Sequence, residues 1–130
     1  MLKKRIKYTD YDGNQREEDF YFNLTKAEIA ELELSTEGGL EQLISKIIDA
    51  KDTSQIIKFF KKIILMSYGE KSLDGKRFIK DEELTKEFTQ TEAYSELFME
   101  LASDENAASN FINGIIPTEL KQTADLKITE

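Results

Sequence analysis

The sequence predicts an α+β fold, mainly α: an N-terminal β-hairpin followed by a bundle of five to six helices. Three observations predict it. An Asp12-Gly13 pair separates two strand-like runs, the strongest short hairpin signal because glycine supplies the positive φ of the turn. Thr25-Lys26-Ala27-Glu28 has the form of a capping box, which marks a helix start. Beyond it, apolar residues recur at helical spacing, as in Leu40, Leu43, Ile44, Ile47 and Ile48. A chain of 130 residues is expected to form one domain, here over residues 1–117, with residues 118–130 as a flexible C-terminal tail.

The hairpin occupies residues 1–24. Its first run is residues 2–8 (LKKRIKY) and its second is Glu18 to Asn23, rich in aromatics. Two strands alone are marginally stable, so the hairpin has to pack on helices or join another sheet. A first helix, capped by Thr25, runs to about Leu34 with Ala27, Ile29, Ala30, Leu32 and Leu34 as its apolar set. Ser35 to Gly39 breaks it, and a second helix covers about Leu40 to Ala50. Asp52 or Thr53 caps a third, which runs to about Tyr68 and closes on Gly69 as its C-cap. Apolar residues wrap most of its circumference, so it is expected at the centre of the bundle.

Residues 70–80 read as a loop with a second Asp-Gly at 74–75, where Leu73 and Phe78 anchor a small turn to the core. A fourth helix follows over about 81–89, its early acids suited to the positive end of the helix dipole. Thr91 starts a fifth, with Ala93, Tyr94, Leu97, Phe98 and Leu101 as its stripe. Asp104 caps a short sixth through Asn113, which Gly114 and Pro117 end.

Composition narrows the chemistry. The chain has no Cys, no His and no Trp, which removes thiolate nucleophiles, Cys-based metal centres and the commonest general base. It is 34% charged with a net charge of −8, which argues against nucleic acid or an anionic membrane as a partner. No secretory signal, no run long enough to span a membrane, no cofactor motif and no metal-ligand pattern is present. The charge is organised in blocks. Residues 1–7 carry +4; residues 8–53, with four bases and twelve acids, carry −8; residues 54–80, with seven bases and two acids, carry +5; residues 81–130, with three bases and twelve acids, carry −9. Such alternation suits packing within the chain or between copies.

The motifs that hint at chemistry do not carry it. Asp10, Asp12 and Asn14 start like a calcium loop, but Gly13 stands fourth and Tyr21 twelfth where that loop needs Gly sixth and an acid twelfth. Gly38-Gly39 lacks the remainder of a phosphate loop. Glu92, Glu96 and Glu100 form one wet helical stripe, with nothing to single out a catalytic pair. The chain is accordingly expected not to be an enzyme, with no catalytic, cofactor-binding or metal-binding residues. Residues Phe20, Tyr21 and Phe22 point alternately to opposite faces of a strand, so at least one is left for contact with another protein. Lys76, Arg77 and Phe78 on the turn, and Tyr94 and Phe98 on the fifth helix, are the other candidates for protein contact. An unpaired hairpin edge also admits self-association by strand addition.

The segment Thr91-Glu92-Ala93-Tyr94-Ser95-Glu96-Leu97-Phe98-Met99-Glu100-Leu101 is the strongest pattern in the chain. It lies between Gly75-Lys76-Arg77-Phe78 and a closing stretch with Phe111 and Gly114-Ile115-Ile116-Pro117. Together these resemble the tail assembly chaperones of long-tailed bacteriophages and prophages, especially those of low-GC Gram-positive hosts. The resemblance covers about residues 70–117; residues 1–69 agree in general character. It implies a protein of the host cytoplasm that binds the tape measure protein, recruits the major tail tube protein, and leaves before the virion is complete. It also implies a short form of a pair whose long form arises by frameshifting. The alternative is a structural phage adaptor, such as a head–tail joining or neck protein retained in the virion.

Overall fold

The computed structural model describes residues 1–35 and 53–117. The expected helix over 40–50, the Gly38-Gly39 break, the Asp52 cap and the tail at 118–130 lie outside the described residues.

The hairpin forms as expected. Strands β1 (Leu2–Thr9) and β2 (Gln15–Phe22) pair antiparallel in an unbroken register from Leu2↔Phe22 to Thr9↔Gln15. Gly13 takes φ +84°, and the Asp10 carboxylate accepts from the Asp12 and Asn14 N–H groups at 2.9 Å each. The Asp10-Asp12-Asn14 cluster is therefore turn chemistry, with the acid satisfying backbone donors.

Helix α1 (Lys26–Ser35) begins with the capping box in full: Glu28 N–H donates to Thr25 Oγ1 at 3.1 Å and Thr25 N–H to Glu28 Oε1 at 2.9 Å. Its apolar set does not form one buried face. Leu32 is buried and Ile29 half-buried, while Ala27, Ala30 and Leu34 are exposed.

Helix α2 (Thr53–Ser67) corrects two expectations. It does not close on a glycine cap but runs straight into strand β3 (Tyr68–Lys71), so Gly69 lies inside a strand. The switch is driven by pairing. Asn23 N–H donates to the Ser67 carbonyl at 2.7 Å, which continues the β2–β3 ladder Tyr21↔Gly69 and Phe22↔Tyr68 into the helix end. Nor is α2 buried all round. Phe59, Ile63, Ile64 and Ser67 face the core, Leu65 and Met66 are half-buried, and Ile57 is exposed. The buried Ser67 hydroxyl donates to the Ile63 carbonyl at 2.7 Å, so this polar group is satisfied inside the core.

Residues 70–80 are also not a plain loop. Strand β4 (Phe78–Ile79) pairs antiparallel with β3, Glu70↔Ile79 and Lys71↔Phe78. The result is a four-stranded sheet in the order β1-β2-β3-β4 where a two-stranded hairpin was expected. The fold is thus α+β with helices laid on one face of a sheet, and the hairpin-plus-bundle description needs that correction. Leu73 does not anchor the turn to the core: it is fully exposed at the tip.

Helices α3 (Glu82–Thr89), α4 (Glu92–Ser103) and α5 (Glu105–Ile115) complete the described chain. Each has a side-chain cap: Thr91 and Asp104 as read from the sequence, and Asp81, expected inside its helix, just before it. Asp81 accepts from Glu83 N–H, Thr91 from Tyr94 N–H, and Asp104 from the Asn106 and Ala107 N–H groups. Gly114 does not terminate α5 but sits inside it, where a Cβ would come within 2.9 Å of Leu2 Cδ1. The helix ends one residue later, where Leu24 N–H takes the Ile115 carbonyl at 2.8 Å. Helix α4 is the hub: it packs on β1, α2, α3 and α5.

The core lies between this helical layer and the even-numbered side chains of β1 and β2. Phe22 is at its centre, with its ring 5.1 Å from Phe111, 5.8 Å from Tyr68 and 5.9 Å from Phe88. Tyr68 and Phe88 stack at 4.1 Å and 8°. Ile6, Leu24, Ile64, Ala93, Leu97, Leu101 and Ile115 fill the space around the rings.

Candidate protein-contact surface

The eight residues singled out for contact separate into three groups. Phe20, Phe22, Tyr94 and Phe98 belong to the helix-facing side. Phe22 is fully buried; the other three are half-buried and packed against the core, Phe20 at 5.4 Å from Phe88 and Tyr94 at 5.7 Å from Phe88 and 6.0 Å from Phe98. Tyr21 and Phe78 lie on the opposite, outer face of the sheet, as strand alternation requires. Lys76 and Arg77 stand exposed on the turn between β3 and β4.

The outer face is built around a glycine. Tyr21 pairs with Gly69, and Gly69 lies under the ring of Phe78. Lys71, which opposes Phe78, holds its ammonium 5.1 Å from the Tyr21 ring centroid, within cation–π range. On β1 and β2 the same face is polar, with Arg5 bridging Glu17 at 2.9 Å and Asp19 at 3.2 Å. The Glu17 partner, more than Asp19, holds the Arg5 guanidinium above its ordinary value. The face therefore offers two half-exposed rings and a cation beside a charged field in which Arg5 is paired with Glu17 and Asp19.

The turn is fixed by its own hydrogen bonds. Asp74 accepts from the Ser72 hydroxyl at 2.6 Å and from Lys76 N–H at 3.0 Å, and these hold its carboxyl below the usual carboxylate range. Arg77 N–H donates to Ser72 Oγ, Gly75 N–H to the Ser72 carbonyl, and Gly75 takes φ +75°. Leu73, Lys76 and Arg77 project from it into solvent.

A third feature was not visible in the sequence. An open groove of about 780 Å³ runs between α2 and α3 beside the start of α1. Leu65, Met66 and Tyr94 give it apolar wall, and Lys61, Lys80 and Lys86 stand among its charged residues. Its α1 side is clamped. Lys80 Nζ donates to Glu28 Oε2 at 2.6 Å and to the Asn23 carbonyl at 2.7 Å. Sequence periodicity marks Leu65 and Met66 as apolar but cannot say that helix packing leaves them half covered.

Among the described residues there is no cluster of His, Cys, Asp or Glu able to hold a metal ion, and no helix long and apolar enough to cross a membrane.

With this arrangement in view, a family profile described as phage tail assembly chaperone matches residues 1–128. The match spans both the hairpin and the α3–α5 region, and the chain belongs to that family. No curated protein and no solved structure matches the chain.

Proposed function

We propose that this chain binds the tape measure protein in the cytoplasm of the bacterial host, keeps its apolar helices in solution, and recruits major tail tube subunits. It acts by binding and release, without a catalysed reaction, and is absent from the finished virion. The observation that carries this reading is family membership over residues 1–128.

The groove between α2 and α3 supports it. A long helical client presents an apolar stripe flanked by charge, and a groove with apolar wall and charged rim is the complementary shape. Tyr94 is the contact candidate that lines this groove. The outer sheet face, with Tyr21 and Phe78, is a second apolar surface and is assigned to the tube subunit.

Co-expression tests the reading. The cognate tape measure protein, expressed with and without this chain, is expected to partition into the soluble fraction only in its presence. Leu65→Glu, checked by circular dichroism for an intact fold, is expected to abolish that rescue. Unchanged client solubility in the presence of the wild-type chain would sink the proposal. Detection of the chain as a stoichiometric component of purified virions would return the assignment to a structural adaptor.

A further inference from the structure

Strand β1 is an edge of the sheet, and among the described residues no strand pairs with its outer side. Every second residue of such a strand leaves its N–H and C=O unused by the ladder, a row of donors and acceptors for a further strand. The side chains along the edge then decide which strand is admitted.

β1 carries Lys3, Lys4, Arg5 and Lys7 and no acid, in a chain of net charge −8. Two of these cations are engaged. Lys4 turns to the helices and meets Glu100 at 2.8 Å, and Arg5 meets Glu17 at 2.9 Å and Asp19 at 3.2 Å on the outer face. Lys3 and Lys7, on the same face as Arg5, are exposed and form no ion pair among the described residues. Glu17 stands opposite Lys7 in the register but is bound by Arg5. Two unpaired ammonium groups therefore stand about 13 Å apart along one side of an open edge. Antiparallel pairing of two β1 strands about Arg5 would set each Lys3 beside a Lys7, like charge opposite like. A strand with acids at those two positions is the complement.

The helix-facing side of the edge has room for it. A concavity of about 300 Å³ lies beside Leu2 and Lys4, walled by Asn106, Ala107, Asn110 and Phe111 of α5. A strand added to β1 lies about 5 Å further out and points alternate side chains toward the helices, so one of them enters this concavity. Asn106 and Asn110 are exposed, and their side-chain amides make no hydrogen bond among the described residues. They suit a hydroxyl or amide at that position.

We propose that the β1 edge takes up an extended acidic segment of another protein as a fifth strand. Its carboxylates alternate onto the outer face against Lys3 and Lys7, and a short polar side chain on its other face enters the concavity before Asn106 and Asn110. Main-chain hydrogen bonds supply the affinity, and the charges select the sequence. The edge is separate from the α2–α3 groove and from the outer rings, so the proposal stands whichever client the groove holds.

The test uses the full chain and synthetic capped peptides of about eight residues, a usual strand length. In one peptide glutamate and threonine alternate; in a second lysine and threonine alternate; a third is the first with N-methyl groups on alternate amides, placed on either set, which keeps the charge and blocks the ladder. Binding is read by fluorescence anisotropy at low and high salt, and its place by amide hydrogen exchange. The glutamate peptide is expected to bind, to weaken as salt screens the pairing, and to slow exchange along β1. The lysine and N-methylated peptides are expected not to bind. Lys3→Gln/Lys7→Gln, with an unchanged circular dichroism spectrum, is expected to lower affinity for the glutamate peptide by about tenfold. No binding of that peptide, equal binding of its N-methylated form, or an affinity untouched by the double substitution overturns the proposal. Edge amides of β1 that already exchange slowly in the free chain also overturn it, since the edge would then be covered from within.

Discussion

The ring of Phe78 lies across Gly69. A Cβ built on that glycine would stand 2.6 Å from Phe78 Cε2 and 2.7 Å from the Ile79 carbonyl oxygen, closer than real Cβ atoms come. The pair joins β3 to β4 on the outer face of the sheet, where glycine leaves the strand bare and the ring replaces the missing side chain. Gly69 is thus required by close approach, with no positive φ involved, and Phe78 is held where it both seals the strand pair and remains half exposed.

Gly69→Ala is therefore expected to destabilise the chain. The Phe78 ring can rotate away, but the Ile79 carbonyl is backbone and moves only with β4. Overpacking of this kind costs about 1–3 kcal/mol, to be measured by urea denaturation. Ala at Gly13 or Gly75 meets no atom within 4 Å, and its effect there comes from the positive φ alone. An unchanged midpoint for Gly69→Ala would show that β4 is not held against β3 in solution.

Local signals with a mechanism were legible, and long-range pairing was not. Thr25 with Glu28, Thr91 and Asp104 start the helices they were expected to start, because a side-chain acceptor two or three residues from an N–H is a local fact; Asp81, expected as an acid of the first turn, is the cap one residue earlier. The Asp-Gly pairs at 12–13 and 74–75 both make turns. Strands β3 and β4 were not legible because Tyr68-Gly69-Glu70-Lys71 and Phe78-Ile79 are too short to show alternation, and Tyr68-Gly69 reads equally as the end and cap of the helix before it. The strand state of β3 is imposed by β2, through the Asn23 N–H on the Ser67 carbonyl and the Tyr21↔Gly69 and Phe22↔Tyr68 pairs, and that of β4 by β3. The aromatic run at 20–22 was legible as two opposed faces. Which ring enters the core was not, because that depends on Phe88 and Phe111, far along the chain.

Phe22→Ala should be among the most damaging single changes in the chain. Its ring is fully buried and touches Tyr68, Phe88 and Phe111, so truncation opens a cavity bounded by three rings. The expected loss is about 3–5 kcal/mol, large against the marginal stability of a domain of this size. Tyr21→Ala, one residue earlier but on the outer face, is expected to lose far less. Thermal denaturation of the two side by side checks the face assignment; equal losses would refute it.

Removing the Asp104 cap tests whether α5 depends on its own start. Its carboxylate accepts from Asn106 N–H at 3.0 Å and Ala107 N–H at 3.2 Å. Asp104→Ala should cost about 1 kcal/mol, and Asp104→Ser should recover most of it. Amide hydrogen exchange at Asn106 and Ala107 should accelerate in the Ala variant. Exchange that stays as slow as in wild type would mean that Leu2 against Gly114 and Leu24 against Ile115 hold the helix without the cap.

The Glu28–Lys80 clamp should make stability fall in acid. Partial burial alone would raise the Glu28 carboxyl, but hydrogen bonds from the Lys80 ammonium and from Thr25 N–H outweigh it and leave the group below its ordinary value. A carboxyl whose folded pKa is lowered contributes stability above the unfolded pKa, and that contribution is lost as pH falls through the folded one. Glu28→Gln should therefore be less stable than wild type at neutral pH. The gap should close as pH drops below the ordinary carboxylate range, where wild-type Glu28 is itself protonated. Lys80→Met should show the same closing gap, although it also strands the Asn23 carbonyl. Urea midpoints measured across that pH range check it, and a gap between wild type and Glu28→Gln that stays constant down to low pH would show that the carboxylate charge contributes nothing to the clamp.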